Sequence, residues 1–181
     1  MGKIVIISGP SGSGKTTVCK QLEKYPRVEK SISVTTRPPR HNEKNGESYY
    51  FVSNTEFENM IEEGKFAEYA KYCGYYYGTL LSNLKEALQR NVVYLLEIDV
   101  QGALQIMEKF PDVMSIFILP PDQKTLSQRL TQRNTNEQQD MALRLKVAEY
   151  ELEFKDRYSY SVVNDDLDVT LSTICKILNL E

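Results

Sequence analysis

Ile4-Val5-Ile6-Ile7-Ser8-Gly9-Pro10-Ser11-Gly12-Ser13-Gly14-Lys15-Thr16-Thr17 decides the fold. Four consecutive β-branched residues read as a strand buried on both faces. The segment behind them fits the phosphate-binding pattern G-x-x-x-x-G-K-[ST] in the strand-to-helix setting that the pattern requires. Gly9, Gly12 and Gly14 allow positive φ, so the backbone can curl and aim successive N–H groups at phosphate oxygens. Lys15 adds a point charge at the β- and γ-phosphates. Thr16 can place its hydroxyl on a magnesium ion, and the helix starting near Lys15 turns its positive end toward the same anion. A plain Gly/Ser connection is the rival reading. The strand before it, and the apolar stripe of Val18 and Leu22 after it, argue against that.

Working outward, the 181 residues are 41% apolar and 26% charged, enough for one substantial core. A net charge of −3 gives no overall positive field for nucleic acid or an acidic membrane surface, so a small ligand gathered by local cations is expected. Cys19, Cys73 and Cys175 lack metal-ligand spacing and His41 is the single histidine, which leaves no zinc site and no Ser-His or Cys-His pair. No signal peptide and no stretch of about 18 apolar residues is visible, so a reducing cytoplasm is the expected location. Oligomeric state is left open.

Apolar strands alternate with helical patterns, which predicts an α/β fold with a largely parallel sheet. The strands read are Lys3–Ser8, Val92–Asp99, Met114–Leu119 and Tyr160–Val163. Helices are read near Gly102–Lys109, Lys124–Leu130 and Leu167–Leu178. The segment Ser31–Ser82 differs. Its short strand-like pieces at Ser31–Thr35, Tyr49–Val52, Phe66–Tyr72 and Tyr75–Tyr77, with a helix near Thr55–Glu63, read as an inserted lobe. A helical pattern over Glu137–Lys155 carries Met141, Leu145, Ala148 and Leu152 on one face. Its polar approach, 131–140, suits an exposed lid that keeps water from a phosphoryl group.

Phosphoryl transfer rests on positive charge placed around donor and acceptor phosphates, so arginines matter. The prolines of Arg37-Pro38-Pro39-Arg40 favour polyproline II, which would project both guanidinium groups to one side as a clamp for a second phosphate; a solvated basic turn is the alternative. Arg129, Arg133 and Arg144 could close from the lid or simply form exposed helix faces. Strand alternation puts Glu97 and Asp99 on one face, where a carboxylate near a P-loop serves magnesium, accepts from a base or forms a salt bridge. In Tyr75-Tyr76-Tyr77-Gly78, alternate rings face opposite sides, and at least one side should pack.

Taken together, Gly9–Thr17, Ser33-Val-Thr-Thr-Arg-Pro-Pro-Arg40, Gly46-Glu-Ser-Tyr-Tyr-Phe-Val52, Phe66-Ala-Glu-Tyr-Ala70, Tyr76-Tyr-Gly-Thr79, Leu96-Glu-Ile-Asp-Val-Gln-Gly102, Ile116–Pro121 and Val162-Val-Asn-Asp165 resemble the guanylate kinase family through nearly the whole chain. The resemblance implies a three-layer P-loop fold with a parallel central sheet (about 1–31, 84–125 and 156–181), an inserted mixed α/β lobe for the nucleoside monophosphate (about 32–83) and a helical lid (about 126–155). It implies Mg2+-dependent phosphoryl transfer from ATP to GMP, and more weakly to dGMP. By the same resemblance Gly9, Pro10, Ser11, Gly12, Ser13, Gly14, Lys15, Thr16 and Thr17 hold ATP, with Asn164 near its adenine. Arg37, Arg40, Tyr49 and Tyr77 hold the GMP phosphate; Ser33, Glu68, Thr79 and Asp99 read guanine. Glu97 would order magnesium-bound water, and Arg129, Arg133 and Arg144 would face phosphate from the lid.

His41-Asn42 stands where Pro-Gly is usual, and Asn134 and Asn136 stand where the family has glycine and an acid. Two rival readings remain. A catalytically inactive protein-binding module usually has a degraded P-loop, whereas Lys15, Thr16, Arg37, Arg40 and Asp99 are all present. The other is a related kinase of another small phosphorylated acceptor, a ribosyl bisphosphate or a different nucleotide; Ser33 and Glu68 argue for guanine, and a sugar-phosphate kinase would have no use for that pair.

Overall fold

The structure is a computed structural model that describes residues 2–133 and 138–180, with side chains described for 2–130 and 145–180. Strand β1 (Lys3–Ser8) lies at the centre, with Val5, Ile6 and Ile7 fully buried. Its alternating side chains enter two different cores. Ile4 and Ile6 pack with Leu96 and Phe117 on one face of the sheet, and Val5 and Ile7 pack with Leu95, Ile116 and Ile118 on the other. A strand covered on both faces needs an unbroken apolar run, and this is why Ile4–Ile7 shows no polar alternation.

The sheet is parallel throughout. Its order is β2 (Val28–Lys30), β7 (Val93–Glu97), β1, β8 (Met114–Leu119), β9 (Tyr160–Val163). Helices α1 (Lys15–Leu22) and α7 (Leu167–Leu178) cover one face through Val18, Leu22, Ile174 and Leu178. Helices α3 (Leu81–Gln89) and α4 (Val100–Lys109) cover the other through Leu84, Ala87, Ala103 and Ile106. Three layers result, as expected.

A second sheet comprises β3 (Val34–Thr35), β4 (Tyr50–Phe51), β5 (Phe66–Tyr72) and β6 (Tyr75–Leu80) in the order β4-β3-β6-β5. Helix α2 (Asn54–Glu62) begins at a capping box between Ser53 and Glu56. It buries Phe57 against this sheet, stacked on Phe66 and Tyr76 with centroids 4.5 and 5.0 Å away. Tyr76 is thus the packed ring of the tyrosine triplet. Helices α5 (Gln123–Arg133) and α6 (Gln138–Leu152) meet through Leu126, Leu130, Leu145 and Ala148. The read of 131–140 as loop is corrected at both ends, since α5 reaches Arg133 and α6 starts at Gln138; residues 134–137 lie outside the described residues.

Two elements escaped the sequence. β2 is three residues, Val-Glu-Lys, too short and polar to show a period. α3 follows β6 directly, with no intervening loop and no capping side chain to announce it. Two boundaries also move. The piece read as Ser31–Thr35 divides, because Ser31 donates its N–H to Leu95 of the central sheet at 2.9 Å and only Val34–Thr35 joins the second sheet. The strand read to Asp99 ends at Glu97, and Asp99 instead caps α4, accepting from Gly102 N–H at 2.9 Å.

Candidate active site

The loop after β1 curls through Gly9, Gly12 and Gly14, all at positive φ. Gly14 matters twice. Its φ of 95° suits glycine, and a Cβ there would collide with the Asn164 amide. That amide donates to the Ser13 carbonyl at 2.8 Å while its oxygen accepts from Thr170 Oγ1 at 3.2 Å. Asn164, buried, therefore clamps the loop, and Arg129 donates to the Asn164 carbonyl at 3.3 and 3.4 Å. Gly12, Gly14, Thr17, Arg129, Asn164 and Asp165 border one cavity of about 320 Å³. Lys15 bends back over the loop, donating to the carbonyls of Gly9 and Pro10 at 2.5 and 2.9 Å. Thr16 Oγ1 donates to Glu97 Oε1, and Lys30 Nζ lies 3.3 Å from Glu97 Oε2.

A second cavity of about 170 Å³ opens on the other side of Lys15 at the carboxyl ends of the parallel strands, where α/β sheets bind ligands. Ser11, Lys15 and Thr16 line it from the phosphate loop, and Glu97, Ile98 and Asp99 from the end of β7. Ser33, Tyr49, Glu68, Tyr72, Tyr77 and Gly78 line it from the second sheet and its approach, and Glu151 from α6. Nine of the residues proposed from the sequence thus converge on one space. Glu68 is 3% exposed and accepts from Thr79 Oγ1 at 2.6 Å. Gly102 makes room for it, since a Cβ on α4 at this point would strike the Glu68 carboxylate.

Carboxyls crowd this cavity. Burial, reinforced by the charge of Asp99, pushes Glu68 up to about 7 despite the Thr79 hydroxyl. Burial also raises Asp99, against the Gly102 N–H and Lys15 that favour its charge. Glu151 is 5% exposed, its Oε2 has no hydrogen-bond partner among the described residues, and burial pushes it to about 7 beside Lys15, Asp99 and the Ser11 N–H.

The arginine pair is not arranged as the prolines suggested. Arg37 is gripped by Glu43, donating to both carboxylate oxygens at 2.8 and 2.9 Å, and lies 5.5 Å from the centroid of the Tyr49 ring. Arg40 is exposed, and it is its backbone N–H that meets Glu43, at 2.8 Å. Neither guanidinium lines the cavity, though Arg37 lies just behind Tyr49, whose ring meets that of Tyr77 edge-on at 6.1 Å. Arg129 and Asn164 border the other cavity, as noted. The side chains of Arg133 and Arg144 lie outside the described residues.

Sequence reasoning missed Glu43, Lys30, Tyr72 and Glu151 as neighbours of this site. Only Glu151 left a readable trace: it falls three residues after Ala148, on the buried stripe of α6, where a carboxylate is out of place.

The model of the family described as "Guanylate kinase" matches residues 1–181. A guanylate kinase of Desulfitobacterium hafniense strain Y51 is 42% identical over 181 residues, spanning 99% of this chain and 90% of that protein. One of Clostridium tetani is 44% identical over 180 residues, spanning 99% and 86%. The crystal structure of guanylate kinase from Anaplasma phagocytophilum superposes with a TM-score of 0.84 at 36% identity, covering 98% of this chain and 85% of the other. With a phosphate loop and a buried, hydroxyl-backed carboxylate facing one cavity, and with these relatives along its whole length, the chain belongs to the guanylate kinase family, the nucleoside monophosphate kinases that transfer a phosphoryl group from ATP to GMP.

Proposed function

We propose that this chain catalyses that transfer, with donor and acceptor meeting at Lys15. The observation that carries the reading is the single cavity bounded by Lys15 and Thr16 at one end and by Glu68, Asp99 and Ser33 at the other. Guanine offers an acceptor at O6 and donors at N1 and N2. Carboxylates such as Glu68 and Asp99 accept from N1–H and N2–H, and the Ser33 hydroxyl can donate to O6. Adenine would leave these partners unmatched, which costs on the order of 1–3 kcal/mol per buried group. dGMP, identical in its base, is expected to be a weaker acceptor.

The remaining roles follow from charge. Lys15, which already reaches two loop carbonyls, would trade them for the β- and γ-phosphate oxygens. Tyr49 and Tyr77 present hydroxyls for the acceptor phosphate, with Arg37 and Arg40 supplying positive charge behind them. Arg129, Arg133 and Arg144 belong to the lid side. Asn164 sets the loop that receives ATP, and its second N–H and second oxygen lone pair remain for the adenine.

Magnesium suits the donor end. Thr16 Oγ1 is a hard oxygen ligand, and Glu97, which takes its proton in a hydrogen bond, leaves the hydroxyl lone pair for the ion and could hold a metal-bound water. Bound there, magnesium would neutralise charge developing on the phosphate oxygens. In-line displacement then requires little of the protein beyond positioning and a dry cavity.

The test is ADP release by the purified chain with ATP, magnesium and, separately, GMP, dGMP, AMP, UMP and dTMP. GMP is expected to exceed AMP by at least about 100-fold, the scale of one or two mismatched buried partners. Equal rates with GMP and AMP would refute the guanine reading.

A further inference from the structure

Charge around the acceptor end of the cavity is unbalanced. Among the described residues its lining carries four carboxyls, Glu68, Glu97, Asp99 and Glu151, against one ammonium, Lys15, which faces the phosphate loop. A nucleotide phosphate entering this space between Tyr49 and Tyr77 needs cations close behind the lining. Arg37 is one, but Glu43 already takes a nitrogen of it through both carboxylate oxygens.

Lys30 is the other. It is the last residue of β2, at the carboxyl end of a parallel strand, and pairs in register with Leu95, two residues before Glu97. Its ammonium is largely enclosed, 17% exposed, and its one hydrogen bond among the described residues is to Glu97 Oε2 at 3.3 Å. That is longer than the usual 2.7–2.9 Å of a charge-assisted bond and leaves two N–H donors uncommitted. Burial opposes the charge of Lys30, but Glu97 outweighs it and keeps the group firmly protonated. Glu97, which holds Lys30, lines the same cavity as Tyr49; burial and the Glu97 charge raise the pKa of the Tyr49 hydroxyl, and Lys30 and Arg37 act against them. Glu97 meanwhile gives its other oxygen to Thr16, so Lys30 stands at the junction of the donor and acceptor ends.

We propose that Lys30 is a further cation of the acceptor-phosphate subsite, sharing its ammonium between Glu97 and the phosphate held at Tyr49 and Tyr77. The position calls for a flexible, compact charge. Lysine supplies that, where a guanidinium would lock onto the carboxylate bidentately. The inference rests on the GMP reading above and adds a residue to it.

Calorimetric titration without metal, using GMP and then guanosine, separates phosphate binding from base binding. Lys30→Met is expected to weaken GMP about tenfold, the order of one charge-assisted hydrogen bond, and to leave guanosine unchanged. Lys30→Arg keeps the charge but commits it to Glu97, so it should bind GMP more weakly than the parent and more tightly than Lys30→Met, again with guanosine unchanged. Equal losses for GMP and guanosine, or no loss for either, would overturn the proposal. Should Lys30→Met fail the same urea midpoint as the parent, Lys30→Gln, which keeps a donor without the charge, is read by the same criteria. A parent protein that does not bind GMP removes the acceptor reading itself, whereas GMP binding that is indifferent to Lys30 removes only this residue's role.

Discussion

Protonation of Glu68 should control how well the site reads guanine. The side chain accepts a hydrogen bond from Thr79, faces Asp99 across the cavity, and has Lys109 as its more distant cation. Burial raises its pKa from 4.5 to about 7. Guanine N1–H and N2–H need an acceptor, so only the ionised form binds. From a midpoint near 7, about nine-tenths of the protein is competent at pH 8 and about one-tenth at pH 6, so affinity should fall roughly tenfold between them. Bound guanine stabilises the carboxylate, and at pH 7 about half a proton should leave per nucleoside bound. Guanosine is the ligand to use, because a phosphate would titrate in the same range. Calorimetry in two buffers of different ionisation enthalpy counts the protons directly, and Glu68→Gln should weaken guanosine while removing the linkage. Flat affinity from pH 6 to 8, or a proton count that survives Glu68→Gln, would refute the reasoning.

Three other outcomes are expected. Gly102→Ala improves helix propensity yet drives a Cβ into the Glu68 carboxylate, so it should raise KM for GMP by about tenfold or more with little change in KM for ATP; equal changes in both would count against Glu68 as the base reader. Lys15→Met should lower kcat by at least about 1000-fold while leaving the circular dichroism spectrum and thermal midpoint near those of the parent; near-normal kcat would displace the donor phosphates from this loop. Glu151 has a folded pKa raised to about 7, so the stability it contributes is present below about 4.5 and is lost as pH rises through 7. Glu151→Gln should therefore stabilise the fold at pH 8, by about 1–3 kcal/mol in urea unfolding, and leave it nearly unchanged at pH 4.5; a gain independent of pH would show that packing, not ionisation, is at issue.

What could be read without coordinates was whatever is encoded locally. Ile4–Ile7 had to be a strand covered on both faces, because an unbroken β-branched run has no polar side to give to water. The glycines and Lys15 behind it required an anion, and the recurring motifs from Ser33 to Asp165 named the family to which the chain belongs. Most of the cavity's lining was legible for the same reason, since Glu68, Asp99 and the tyrosines belong to those motifs. Tertiary structure decided which of these groups spend their charge on one another. Glu43 on Arg37, Lys30 on Glu97, Asn164 on the Ser13 carbonyl and Glu151 beside Lys15 join residues by through-space contact, three of them between segments far apart in the chain, and no spacing rule connects such partners. The extra cation at the acceptor end became visible only when β2, too short to betray a period, was seen paired to β7, because that register is what sets Lys30 beside Glu97.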